Sequence, residues 1–418
     1  MFQKETLING IRIVTEEISY VNSVSIGLWI KVGSRYESIE NNGISHFIEH
    51  MLFKGTKNRS AKDIANSIDK LGGQLNAFTS KECTCFYAKV LDTHFDIALD
   101  VLADMYFNSN FDPEEIDKER GVVLEEINMY EDSPEDLVHD LFSQAVWSGN
   151  PLGMSILGTE ESLENLNREK IVQYFNENYL PQNMVISVVG NFKHKDVIHK
   201  IKSYFEKTEH KDKAAAHIDI PSFEPEYTLK SKVTEQIHLC MGFNGIDIKN
   251  KAFYPMLVLN NVFGGAMSSR LFQKIREDRG LAYSVFSYPS SFEDCGLFSI
   301  YAGSKPGNLK NVAGLIMEEI NIIKKTGISD EELYDSKEQL KGSYILGLES
   351  TSGRMISIGK SELLLDKIYS PAEILERIDK VDMESVNDII QHIFDTDSMG
   401  AAVIGSMGNS TDIRSLFK

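Results

Sequence analysis

The chain states its plan twice, and that duplication limits the fold more than any other feature. VSIGLWIKVGS (24–34) and QIHLCMGFNGI (236–246) both read as strands with alternating apolar residues. HMLFKG (50–55) lines up with NNVFGG (260–265). FDPEEI (111–116) lines up with ISDEEL (328–333), each a helix start with acids in its first turn. MVISVVGN (184–191) and AAVIGSMGN (401–409) both read as the last strand of a sheet. A chain of 418 residues is also too long for one ordinary domain. The expected fold class is α+β: two homologous domains, each a mainly antiparallel β-sheet flanked by helices. The stretch 206–227 is charged, then Ala-rich, then punctuated by Pro221 and Pro225, which is linker composition. The expected boundaries are 1–210, a linker at 211–225, and 226–418.

The two halves do not share their chemistry. In GISHFIEHMLFKG (43–55), a helix places His46, Glu49, His50 and Phe53 within a roughly 100° arc. Phe47, Ile48, Met51 and Leu52 fall on the opposite side and can pack into a core. Histidine is scarce here, 10 in the chain, so two of them one turn apart beside a glutamate are a pattern rather than a face of chance polar residues. Such a pair suits two nitrogen ligands on one tetrahedral Zn²⁺. Aligning Phe53 with Phe263 sets Met256, Leu259 and Asn260 opposite His46, Glu49 and His50. A metal therefore belongs to the first half alone.

Two histidines leave a zinc site incomplete. The stretch 113–136 starts a helix at Asp112-Pro113 and carries two adjacent carboxylates, Glu125 and Glu126. Glu126 has Val122, Val123, Met129 and Tyr130 at helical spacing, which assigns it to the inward face. Glu125 points more toward solvent. Glu119 shares the inward face, near Ile116, Val122 and Val123. Buried carboxylates are costly unless paired or bound to metal. Two on one inward face fit a ligand and a carboxylate that orients a ligating imidazole.

Composition excludes several other roles. The net charge is −19, which argues against nucleic acid as a partner. The N-terminal stretch 1–14 reads as strand, Asn9-Gly10 turn and strand, with no apolar leader. No run approaches the length of a membrane span. Four cysteines, with Cys83 and Cys85 on one face of a strand, are too few for a disulfide framework. They read as reduced thiols of a cytoplasmic protein. FGGAMSSR (263–270) has paired glycines but not the pattern of a phosphate loop.

The order H-x-x-E-H is the inverzincin signature. With it, GGQLNAFTSKE, ERGVVLEEINMYEDSPED, PLGMSILGTEE, GGAMSSRLFQKIREDRGLAYSV and the repeated plan resemble the pitrilysin and insulinase family of zinc peptidases over nearly the whole chain. Within it, the chain is similar to small bacterial members related to the mitochondrial processing peptidase. The resemblance implies that His46, His50 and Glu126 bind Zn²⁺, that Glu49 is the general base, and that Glu119, seven residues before the third ligand, supports a zinc histidine. It implies that Arg276 and Tyr283, seven residues apart, hold substrate over the zinc, and that Asn76, Ala77 and Phe78 pair with a substrate backbone. Phe53 and Phe78 are candidates for an apolar pocket beside the zinc.

The expected activity is that of a zinc metalloendopeptidase acting on short or unfolded peptides inside a clamshell chamber. The alternatives are a presequence-type processing peptidase and a catalytically inactive structural subunit. Such subunits typically lose part of the zinc motif, whereas all four residues stand here. Larger family members carry four such domains in one chain, so two copies of this chain are expected to form a homodimer. Arg276 and Tyr283 of one copy then serve the zinc of the other.

Overall fold

A computed structural model describes residues 2–207, 218–407 and 412–417. Residues 208–210 at the end of the expected first domain, 211–217 of the expected linker, and 408 and 409 at the end of the last expected strand lie outside the described residues.

The first sheet has six strands: β1 (Phe2–Thr6), β2 (Arg12–Glu17), β3 (Ser23–Ile30), β4 (Gln74–Thr79), β5 (Thr84–Leu91) and β6 (Met184–Gly190). Their order is β1-β2-β6-β3-β5-β4. All pairs are antiparallel except β2 with β6. The second sheet has β7 (Tyr227–Ser231), β8 (Ile237–Asn244), β9 (Ala282–Ser291), β10 (Gly296–Ser304) and β11 (Met399–Gly405). Its order is β7-β11-β8-β10-β9, with only β7 and β11 parallel. Apart from β1, the two sheets repeat one topology, as the sequence repeat requires. Both are mainly antiparallel and flanked by helices, so each half is α+β.

Strands β3 and β6 are buried almost throughout, because both faces of the sheet are covered. One face packs Ile26, Leu28 and Ile186 against Phe47, Ile48, Leu99 and Leu102 of the helices Ile44–Leu52 and Phe95–Asn108. The other face packs Trp29, Val185 and Val189 against Met355, Ile358 and Leu363 of the helix Thr351–Leu365. That helix lies so close that a Cβ on Gly359 would strike the Trp29 indole. The second sheet is covered in the same way: Leu137, Val138, Phe142 and Val146 of the helix Pro134–Val146 cover Cys240, Leu297, Ala402 and Ile404.

Each half thus lends a helix to the sheet of the other. The compact units are the described residues of 1–128, 154–218 and 346–370, and those of 129–153, 219–345 and 371–418. These compact units differ from the contiguous stretches 1–210 and 226–418 chiefly by the two exchanged segments, 129–153 and 346–370. A sheet apolar on both faces needs a second cover, and here that cover comes from far along the chain. Met355 is fully buried under this arrangement. Met355→Ala is expected to lower stability by about 2–5 kcal/mol, read from the midpoint of chemical denaturation. An unchanged midpoint would remove the 351–365 helix from the first core.

Candidate active site

The helix Ile44–Leu52 is fixed at its start. Gly43 has φ of 91°, and a Cβ there would lie 2.6 Å from the Leu157 carbonyl oxygen. The buried Glu37 carboxylate accepts from the backbone N–H groups of Gly43 (2.7 Å) and Ser45 (2.9 Å) and from Asn42 Nδ2 (3.0 Å). The two backbone N–H groups are donors that a helix start otherwise leaves unpaired. Burial pushes the Glu37 carboxyl up, and the same donors oppose that shift. Phe47, Ile48, Met51 and Leu52 enter the core, as the periodicity requires, and His46, Glu49 and His50 share the other side.

Three donor atoms converge there. His46 Nε2 and His50 Nε2 are 3.2 Å apart, and each lies 3.7 Å from Glu126 Oε2. Tetrahedral zinc with bonds near 2.0–2.2 Å has donor–donor edges of roughly 3.3–3.6 Å. The three atoms already outline one face of such a tetrahedron. Among the described residues, no other set of three His, Cys, Asp or Glu side chains draws together in this way. Two imidazoles and one carboxylate are also a donor set that zinc takes with its fourth position open.

Glu119, buried, reaches His50 Nδ1 at 2.8 Å. The carboxylate can only accept, so His50 carries its proton on Nδ1 and turns a bare Nε2 lone pair toward His46 and Glu126. The other Glu119 oxygen meets Lys54 Nζ at 2.5 Å. Burial, with His50 adding to it, pushes His46 down to about 3. His46 is therefore neutral at ordinary pH, the form that ligates metal.

Glu126 is less enclosed than its apolar neighbours imply. Its side chain is 43% exposed, and Val122 (51%) and Met129 (74%) are exposed as well. The helix Pro113–Glu131 buries Ile116, Glu119 and Val123 and leaves the core toward its C-terminal end. Glu125 is exposed and outside the cluster.

Glu49 stands beside the three donors without joining them. Burial pushes its carboxyl up, opposed by Thr79 and His50 and assisted by Glu126. Thr79 Oγ1 donates to Glu49 Oε2 at 2.5 Å. Thr79 ends β4, the strand at one edge of the sheet. Sequence reasoning passed over both Thr79 and Lys54. Each left a signal: Lys54 follows His50 at helical spacing, and Thr79 shares the strand face of Ala77.

Strand alternation also separates two residues that were expected together. Phe53 packs toward Phe86 (ring centroids 6.4 Å) on the helix face of the sheet. Phe78 packs against Trp29 (5.6 Å) and Tyr87 (6.3 Å) on the opposite face. One shared pocket is therefore not formed. Asn76 is exposed on β4, with its Oδ1 accepting from the Ala77 N–H at 2.8 Å. Arg276 and Tyr283 lie in the second unit. The Arg276 guanidinium stacks over Phe272 (4.6 Å) and Tyr283 (5.4 Å), and Tyr283 is 77% exposed.

The second copy holds no equivalent cluster among its described residues. Asn260, opposite His50, accepts from Ser287 Oγ at 2.8 Å. Extending the alignment of 111–116 with 328–333 sets Ser336 opposite Glu119 and Ser343 opposite Glu126.

A duplicated α+β fold with a His₂Glu triangle and a neighbouring glutamate defines a candidate metallohydrolase. Residues 12–160 match the family described as insulinase (peptidase family M16), and residues 165–340 match the peptidase M16 inactive domain. The chain belongs to peptidase family M16. It is 50% identical over 409 residues to an uncharacterized zinc protease of Bacillus subtilis, covering 98% of this chain and 99% of the relative. A second uncharacterized zinc protease, from Streptomyces coelicolor, is 42% identical over 398 residues, covering 94% and 87%. The fold matches that of a protease from Helicobacter pylori, with a TM-score of 0.90 at 23% identity, over 97% of this chain and 99% of that one. It matches equally a peptidase M16 inactive domain structure from Pseudomonas fluorescens, with a TM-score of 0.90 at 18% identity, over 98% and 99%. No helix among the described residues is long and apolar enough to cross a membrane.

Proposed function

We propose that the chain is a zinc-dependent endopeptidase acting on short or unfolded peptides. The observation that carries this reading is the triangle of His46, His50 and Glu126 with Glu49 beside it and outside it. Zinc held by these three donors supplies Lewis acidity to the scissile carbonyl and makes water easier to deprotonate. Glu49 takes the proton of the attacking water on the oxygen that Thr79 leaves free, then delivers it to the leaving amine. Glu119 holds His50 in the ligating tautomer, and Lys54 neutralises Glu119.

The open edge of β4, at Asn76, Ala77 and Phe78, pairs with the substrate backbone. Main-chain pairing needs an extended peptide, so folded proteins are poor substrates. Arg276 and Tyr283 clamp the substrate from a second copy of the chain in a homodimer. Their support is an exposed tyrosine stacked on a guanidinium, free to serve a site other than the core of its own unit. The first half is the catalytic part and the second half supplies the clamp. The complete ligand set with its base speaks against a purely structural subunit. A cleavage-site profile on a random peptide library separates general peptide turnover from removal of one presequence-like segment.

Metal analysis and a quenched peptide test the reading directly. One zinc per chain and cleavage that a chelator stops are the expected results. Glu126→Gln is expected to lower zinc affinity by about 10–100-fold or more, because it removes one of three donors, whereas Glu125→Gln keeps its zinc. Equal loss in both variants would show that the third ligand is misassigned.

A further inference from the structure

Glu49 and Thr79 come from different elements of the first unit, the helix Ile44–Leu52 and the edge strand β4. Their contact, 2.5 Å between Thr79 Oγ1 and Glu49 Oε2, is in the short range of hydrogen bonds to an ionised acceptor. Thr79 sits opposite Thr84 of β5 in register. The Thr84 hydroxyl gives its proton to the Val32 carbonyl oxygen at 2.9 Å and approaches Thr79 Oγ1 only to 3.5 Å. The Thr79 proton therefore goes to Glu49. A glutamate side chain on a half-open helix face has several rotamers of similar energy. One strong donor at a fixed strand position selects among them, occupying Oε2 and leaving Oε1 to act.

We propose that Thr79 is a positioning residue: it aims the Glu49 carboxylate and ties that aim to the edge strand. The preceding residues of the same strand, Asn76 to Phe78, offer the unpaired edge. A peptide that pairs with β4 stiffens the strand that carries the donor, so substrate binding and alignment of the base become one event. The inference rests on the reading of Glu49 as general base.

The test compares Thr79→Val, which keeps the shape and loses the hydroxyl, with Thr79→Ser, which keeps the hydroxyl. On a quenched peptide, Thr79→Val is expected to lower kcat by about 10–100-fold with KM within about twofold of the parent. Thr79→Ser should recover most of that loss. Zinc content should stay at one per chain in both. In a Glu49→Gln background, adding Thr79→Val should leave both the residual rate and peptide binding by fluorescence anisotropy unchanged, since no base remains to be aimed. A parental kcat in Thr79→Val overturns the proposal. So does a Ser variant as impaired as Val, or loss of zinc, or a further drop on the Glu49→Gln background. Should Thr79→Val fail to fold by its denaturation midpoint, Thr79→Ala takes its place in the same comparison with Ser. Failure of the underlying reading shows separately, as full activity of zinc-loaded Glu49→Gln with Thr79 intact.

Discussion

Glu49→Gln is expected to lower kcat by about 10²–10⁴-fold, the share that a positioned acid–base group contributes, while zinc content and fold stay as they are. The substitution preserves shape and an oxygen that can accept from Thr79, so the contact across to β4 survives. It removes only the ability to take a proton. Glu49 is not one of the three converging donors, so the metal should not notice the loss. Burial already disfavours charge on Glu49, and Glu126 adds repulsion, so a neutral amide relieves the site rather than straining it. Metal analysis and a denaturation curve, run beside the peptide assay, separate this outcome from collapse. Undiminished activity with zinc in place would remove Glu49 from the mechanism.

What the sequence disclosed and what it hid follow one physical line. The helix Ile44–Leu52 was legible in full, because its packed side and its polar side are both set by local periodicity. The same reasoning overreached at Glu126. Val122 and Met129 are apolar, and periodicity reports a neighbour's polarity, not whether anything covers it. The preference for Glu126 over Glu125 nevertheless points to the carboxylate that joins the cluster. Strand parity turns Phe78 of β4 toward Trp29 and Tyr87, whereas Phe53 packs toward Phe86 on the helix face, so a common pocket for the two is not implied by their apolar character alone. The same parity puts Thr79 beside Glu49. The exchanged helices were hidden for a different reason. Trp29, Val185 and Val189 show that β3 and β6 need cover on a second face. Nothing local says that the cover is the helix Thr351–Leu365, because that pairing spans most of the chain.

A mixture of Glu49→Gln and Tyr283→Phe chains is expected to be more active than the sum of its parts. Each variant alone should be weak: the first lacks a base, and the second lacks a hydroxyl donor to the developing oxyanion, a loss worth about 10²–10³ in kcat. If Tyr283 serves the zinc centre of the partner copy, a mixed dimer has one site with neither group and one with both. Random exchange of equal amounts makes half of the dimers mixed, so about one quarter of all sites become intact. The observations that motivate the test are that Arg276 stacks on Tyr283 within its own unit and that Tyr283 is exposed. If the site is shared, activity per chain is also expected to fall on dilution, because a monomer would keep the zinc donors and lose the partner's Tyr283. If subunit exchange is verified by a mass label and the mixture stays at the sum of the two variants, the site is not shared. If Tyr283→Phe alone keeps the parental rate, the tyrosine has no part in the oxyanion step, and the case for a site completed in trans falls with it.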